Sequence, residues 1–98
     1  MSEQKIPVIV CVGEPGRAVV FGWVDAEPVL GESVTLREAR MVLYWPASCG
    51  GLFGLASRGP RDGLRLTHSV DRTGARPVSQ WLAVSSEAAA ALREWPRV

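Results

Sequence analysis

Two runs of the chain are apolar on both of their alternating faces, and this feature limits the folds that the chain can adopt. The first run is Arg17 to Val24, which reads Ala-Val-Val-Phe-Gly-Trp-Val after the arginine, and the second is Met41 to Trp45. Such a run predicts a strand that is covered on both sides. The chain has only 98 residues, so we expect residues 1–98 to form a single domain that buries both strands.

Three other runs also have the composition of strands. Ile6 to Val12 is rich in β-branched residues and ends in a predicted turn at residues 13–16. Val34 to Leu36 and Val78 to Val84 are further runs of this kind. The residues 37–39 interrupt the apolar pattern and are expected to separate the strand at Val34 from the strand that begins at Met41. The sequence therefore predicts about five strands.

Two short helices are predicted, each beginning after a serine. Ser48 is the expected N-cap of a helix from about Gly50 to Arg58, and Ser85 is the expected N-cap of a helix that ends at Glu94. Four consecutive alanines favour the second helix. Residues 60–77 are expected to form a mobile basic loop that can include a short strand at Leu64 to Thr67, because five arginines and two aspartates lie between positions 58 and 76.

These elements predict an α+β fold with a small, mostly antiparallel, curled sheet of about five strands and two short helices on one face. Two short helices are too few to cover both faces of the two apolar strands. A second copy of the chain is expected to cover the remaining surface, so the sequence predicts a homo-oligomer.

Several classes of function lack the residues that they need. The chain has one histidine, His68, and its two cysteines, Cys11 and Cys49, are far apart in sequence and outside any metal-binding spacing. We therefore expect no metal site, no cofactor and no enzymatic activity. A net charge of +1 gives no electrostatic case for nucleic-acid binding, and we expect no nucleic-acid partner. The apolar run from Ile6 to Val12 is too short to cross a bilayer, and we expect a cytoplasmic protein without membrane contact.

The segment from Arg40 to Arg58 combines two cations, two aromatic rings, a turn rich in serine and glycine, and the start of a helix. Helix starts present unpaired amides to anions, arginine pairs with phosphate oxygens, and aromatic rings stack on bases. This pattern predicts a ligand site for a phosphate-bearing small molecule. Its candidate residues are Arg40, Tyr44, Trp45, Ser48, Gly50, Gly51 and Arg58.

A structural interpretation of the same residues is equally specific. Tyr44 and Trp45 are then core rings, Arg40 forms an internal ion pair with Glu38 or Asp62, and the glycines only permit a tight turn. The sequence leaves both interpretations open.

Three ordered motifs resemble those of a family of small phage-encoded proteins of unknown function. They are V-x-L-x-x-A-R at residues 34–40, Tyr44-Trp45, and L-x-x-L-A-x-x-G at residues 52–59. The resemblance implies a phage origin and transfers no catalytic residue to this chain.

Phages encode small oligomeric proteins that sequester the nucleotide signals of bacterial immunity, and this chain is similar to that class in size and composition. On this basis we expect an anti-defence protein, a homo-oligomer that binds and sequesters a nucleotide signal without turnover. We call this the sponge function. The alternative is a protein-binding module that docks on a host protein and inhibits it.

Overall fold

The computed structural model describes residues 5–13 and 18–96, and it confirms the α+β class. The elements in chain order are β1 (Ile6–Val12), β2 (Ala18–Val24), β3 (Val34–Tyr44), α1 (Gly51–Arg58), β4 (Arg65–Leu66), β5 (Val70–Ala75), β6 (Val78–Ala83) and α2 (Ser86–Glu94). A short 3-10 turn, Ala47–Cys49, precedes α1. Positions 14–16 of the predicted turn lie outside the described residues.

The strands form one open, curled sheet in which every described pairing is antiparallel. The order is β4-β3-β2-β1-β6, and β5 pairs with the first half of β3. β5 and β6 follow each other in sequence but lie at opposite edges of the sheet. Main-chain hydrogen bonds from Gly31 N to Val78 O (2.8 Å) and from Val78 N to Glu32 O (3.0 Å) connect the start of β6 to the segment before β3. The sheet therefore curls until its ends approach each other.

β3 is one strand of eleven residues, and the predicted separation at residues 37–39 is wrong. Phe21 pairs with Arg40 and Trp23 pairs with Arg37, so Gly22 alone faces two residues of β3. This is a β-bulge, and Glu38 is one of its two residues on β3, with a positive φ of 50°. A Cβ at position 22 would lie 3.0 Å from the Cβ of Leu36, which explains why glycine occupies this crowded position.

Two apolar clusters lie on opposite faces of the central strands. The outer cluster joins Ile9 and Phe21 of the sheet to Leu55 of α1 and Leu92 of α2. The inner cluster consists of strand residues alone, among them Val10, and is enclosed by the curl of the sheet. The prediction of strands covered on both sides is confirmed for β2. One chain provides both covers of β2, so β2 by itself gives no argument for a homo-oligomer, whereas Met41 and Leu43 of the second predicted run remain exposed.

The second helix begins and ends as predicted, whereas the first has a different cap. The Ser85 side chain accepts a hydrogen bond from Ala88 N at 3.1 Å, which confirms it as the N-cap of α2. The N-cap of α1 is Gly50 in the left-handed region, with φ of 85°, and it makes no side-chain cap bond. Ser48 lies in the preceding 3-10 turn and does not cap α1.

The stretch predicted as a basic loop contains regular structure. β4 and β5 both lie within residues 60–77, and β5 pairs with β3 over Val34–Ala39. The side chains of β5 are mostly exposed, which explains why its sequence lacks the apolar alternation of the other strands.

Candidate functional site

Arg40 is a buried structural residue, with 5% of its surface exposed. Its Nη1 donates to the carbonyl oxygens of Leu92 at 2.9 Å and Trp95 at 2.6 Å, and its Nε donates to that of Thr67 at 2.8 Å. The guanidinium thus lies at the C-terminal end of α2, where free carbonyls and the helix dipole favour a cation. Burial lowers the pKa of Arg40 from its usual value.

These bonds place Arg40 away from the predicted ligand turn. Its partners are main-chain carbonyls, and the ion pair with Glu38 or Asp62 that the structural interpretation offered does not form. Glu38 instead pairs with Arg93 at 3.3 Å.

Arg58 is the last residue of α1, and its side chain reaches back along the helix to the turn before α1. Its Nη2 donates to the carbonyl oxygen of Cys49 at 3.1 Å and lies against Gly50. A Cβ at Gly54 would overlap the same Cys49 carbonyl, so helix and turn are in close contact. The structure therefore brings Arg58, Gly50 and Gly51 together, with the exposed Ser48 in the same turn, but it does not add Arg40 to them.

The two aromatic residues have different environments. Tyr44 at the end of β3 is 53% exposed and pairs with Arg65 of β4. Trp45 is half-buried and packs against the outer cluster. Thus Trp45 is in part the core ring of the structural interpretation, whereas Tyr44 is not.

A depression that the sequence did not predict lies between the start of β2 and the end of β3. The register of β2 with β3 extends to the pair Val20–Met41, while β3 continues to Tyr44 along β4. One cleft of about 640 Å³ opens at this point, and a second cleft of about 630 Å³ shares Val12, Ala18 and Met41 with it. We call the two clefts together the β2–β3 groove.

The cleft that contains Leu43 is mainly apolar, whereas the cleft that contains Arg76 is also lined by the polar residues Ser33, Thr35 and Thr73. Its apolar lining includes the shared residues and Val19, Val20, Val34, Leu43 and Trp45. Met41 is 41% exposed and Leu43 is 50% exposed. Among the described lining residues, Arg76 alone carries a charge. The prediction that the run from Met41 to Trp45 is covered on both sides is therefore wrong at Met41 and Leu43, because no segment among the described residues packs over them.

The described residues contain no constellation typical of metal or redox chemistry. Within residues 5–13 and 18–96, no group of three or more His, Cys, Asp or Glu side chains could hold a metal ion. Both cysteines are free, and burial raises the pKa of the Cys11 thiol above its usual value. In the part of the chain that the structure describes, no helix has the length and apolar character required to cross a membrane.

Comparison with known protein families gives a match over most of the chain. Residues 5–92 match the family described as "Domain of unknown function (DUF6948)". No curated protein and no solved structure matches the chain. The geometry of the described surfaces is therefore the basis for inferring a function.

Proposed function

We propose that this chain, which belongs to the DUF6948 family of domains of unknown function, is a non-catalytic binding module that docks an apolar protein segment in the β2–β3 groove. The observation that supports the proposal is the exposed apolar lining around Met41 and Leu43. Large apolar side chains that remain exposed next to one another indicate an interaction surface.

The residue types favour a protein partner over a small polar ligand. Methionine and aromatic residues are enriched in protein interfaces, and the flexible side chain of Met41 can adapt to a partner. In the described lining, Arg76 is the one group that would attract an anion, and it lies at the β5 end of the groove. A partner segment with apolar side chains and one carboxylate would match this surface.

The resemblance to phage proteins adds a biological setting to this proposal. If the chain is phage-encoded, the docked segment belongs to a bacterial host protein, and occupation of the groove inhibits that protein. The docking module is the function that the geometry supports best, because the buried contacts of Arg40 remove one of the two arginines on which the nucleotide site depended.

The test replaces one apolar groove residue by a charged one. Leu43→Glu should weaken partner binding at least tenfold, because burying a leucine contributes about 1.5 to 3 kcal/mol and a tenfold change in affinity is about 1.4 kcal/mol. Affinity enrichment from a bacterial lysate, read by quantitative mass spectrometry, compares the wild type with this variant.

Phe53→Glu is the matched control, since Phe53 is 66% exposed and does not line the groove. The expected partner is retained by Phe53→Glu and lost by Leu43→Glu, and purified partner should reproduce the difference by calorimetry. The proposal is overturned if no protein distinguishes Leu43→Glu from the wild type.

The prediction of a phosphate ligand has a direct test of its own. The docking proposal predicts that no cyclic or linear nucleotide raises the melting temperature of the wild type, and that chromatography detects no nucleotide product. Arg58→Ala is the informative variant, because Arg58 is exposed and lies at the turn before α1. If a nucleotide does stabilise the wild type, and Arg58→Ala weakens its binding by about 1.5 to 3 kcal/mol, the docking proposal is overturned. The chain would then bind nucleotides, as the sponge function requires.

A further inference from the structure

The outer edge of β6 presents main-chain groups that β1 does not bind. In an antiparallel ladder, residues alternate between those that bond to the neighbouring strand and those that face away from it. Val84 N donates to Pro7 O at 3.1 Å, and the register pairs Leu82 with Ile9. This alternation directs the N–H and C=O groups of Trp81 and Ala83 away from β1.

Among residues 5–13 and 18–96, no other strand bonds to these groups. β1 is the strand with which β6 pairs among the described residues, and no described main-chain bond outside the ladders involves Trp81 or Ala83. Ala83 is exposed and Trp81 is half-buried in the inner cluster. The edge therefore offers two donors and two acceptors at a spacing of two residues, which is the arrangement that an added strand requires.

The sequence of this edge lacks charged side chains. Exposed edge strands commonly carry charges that prevent another strand from adding. β6 reads Val-Ser-Gln-Trp-Leu-Ala and contains no charged residue, whereas β5 at the other edge carries Asp71 and Arg72.

Two exposed apolar side chains lie next to the start of the same edge. Val29 is 60% exposed and Leu30 is 62% exposed. Their segment is held to β6 by the hydrogen bonds of Gly31 and Glu32 with Val78. A strand added to β6 would lie close to these side chains.

We propose that β6 pairs antiparallel with β6 of a second copy, with Trp81 of each copy opposite Ala83 of the other. The two-fold axis then passes beside Leu82, and the outward donors of one strand meet the outward acceptors of its symmetry mate. A second copy fits because the strand is self-complementary and uncharged, so self-pairing places no like charges opposite each other. This interface is independent of the β2–β3 groove.

The experiment compares the same substitution at two exposed alanines. Ala83→Lys places a charge on the pairing edge, and Ala91→Lys places one on α2. Light scattering at tens of micromolar should give a dimer for the wild type and Ala91→Lys, and a monomer for Ala83→Lys with an unchanged circular dichroism spectrum.

Amide hydrogen exchange provides a readout that does not depend on a variant. Exchange at Trp81 and Ala83 should slow as the wild-type concentration rises, while Leu82, which faces Ile9, should exchange at a constant rate. The proposal is overturned by a wild-type monomer, by a ring larger than a dimer, or by Trp81 and Ala83 amides whose exchange is independent of concentration.

Discussion

Replacement of Arg40 by methionine is expected to lower the free energy of unfolding by about 3 to 5 kcal/mol, the cost typical of breaking a buried charged network. The variant removes the donors for the carbonyls of Thr67, Leu92 and Trp95, and it leaves the end of α2 without its cation. Methionine replaces the aliphatic stem of arginine but ends where Nε lies, so the carbonyls that Nη1 reaches lose their donor and the space of the guanidinium is left unfilled. Urea denaturation at a fixed pH measures the difference.

Arg61→Met is the control for this prediction. Arg61 is exposed, and its described hydrogen bond goes to the neighbouring Pro60 carbonyl, so its loss should change stability by less than about 0.5 kcal/mol. Arg40→Lys should have an intermediate effect, because lysine keeps the charge at the helix end but lacks the planar fork that reaches several carbonyls. Equal stability of Arg40→Met and Arg61→Met would show that Arg40 is dispensable for folding and would contradict the structural role.

Replacement of Trp95 by alanine is expected to cost about 3 kcal/mol, near the lower end for removal of a large buried ring. Trp95 follows α2 and packs against the outer cluster, and its Nε1 donates to the carbonyl oxygen of Leu64 at 2.9 Å. The side chain thus connects the end of α2 to the segment before β4. A thermal melt and a urea titration both measure this loss.

Trp95→Phe separates the contribution of ring packing from that of the hydrogen bond that Nε1 donates to Leu64. Phenylalanine keeps most of the ring but cannot donate to Leu64, so we expect it to lose about 1 kcal/mol. Trp95→Ala and Trp95→Phe should therefore differ by roughly 2 kcal/mol. An unchanged melting temperature in Trp95→Ala would refute the packing of the Trp95 side chain against the outer cluster.

Local chemistry determined several elements before any tertiary contact is considered. The helix at Ser86–Glu94 follows from a cap hydroxyl at Ser85 and a run of alanines, because both act within one turn of the chain. β1, β2 and β6 follow from apolar runs whose character does not depend on their partners. Trp95 packs against the outer cluster that contains Leu92, and the spacing of three residues between them is a local signal for this contact.

Other features depend on residues that are distant in sequence. β5 is recognisable only as a partner of β3, because its exposed polar side chains carry no strand signal. No local sequence feature shows whether Arg40 contacts a ligand or binds the end of a helix, because its partners Thr67, Leu92 and Trp95 are 27, 52 and 55 residues away. The bulge at Glu38 likewise depends on Gly22 of the neighbouring strand.

The sequence alone therefore determined the secondary structure of β1, β2, β6 and α2. It also determined that β2 must be buried on both faces, because its residues are apolar on both. The tertiary structure decided what buries the two faces of β2: the curl of the sheet covers one face, and the two helices cover the other. It also decided which cation is buried and which apolar side chains stay exposed. The physical reason is that hydrogen bonds and burial at Arg40, Met41 and Leu43 arise between segments whose distance in space is set by the sheet, not by their spacing along the chain.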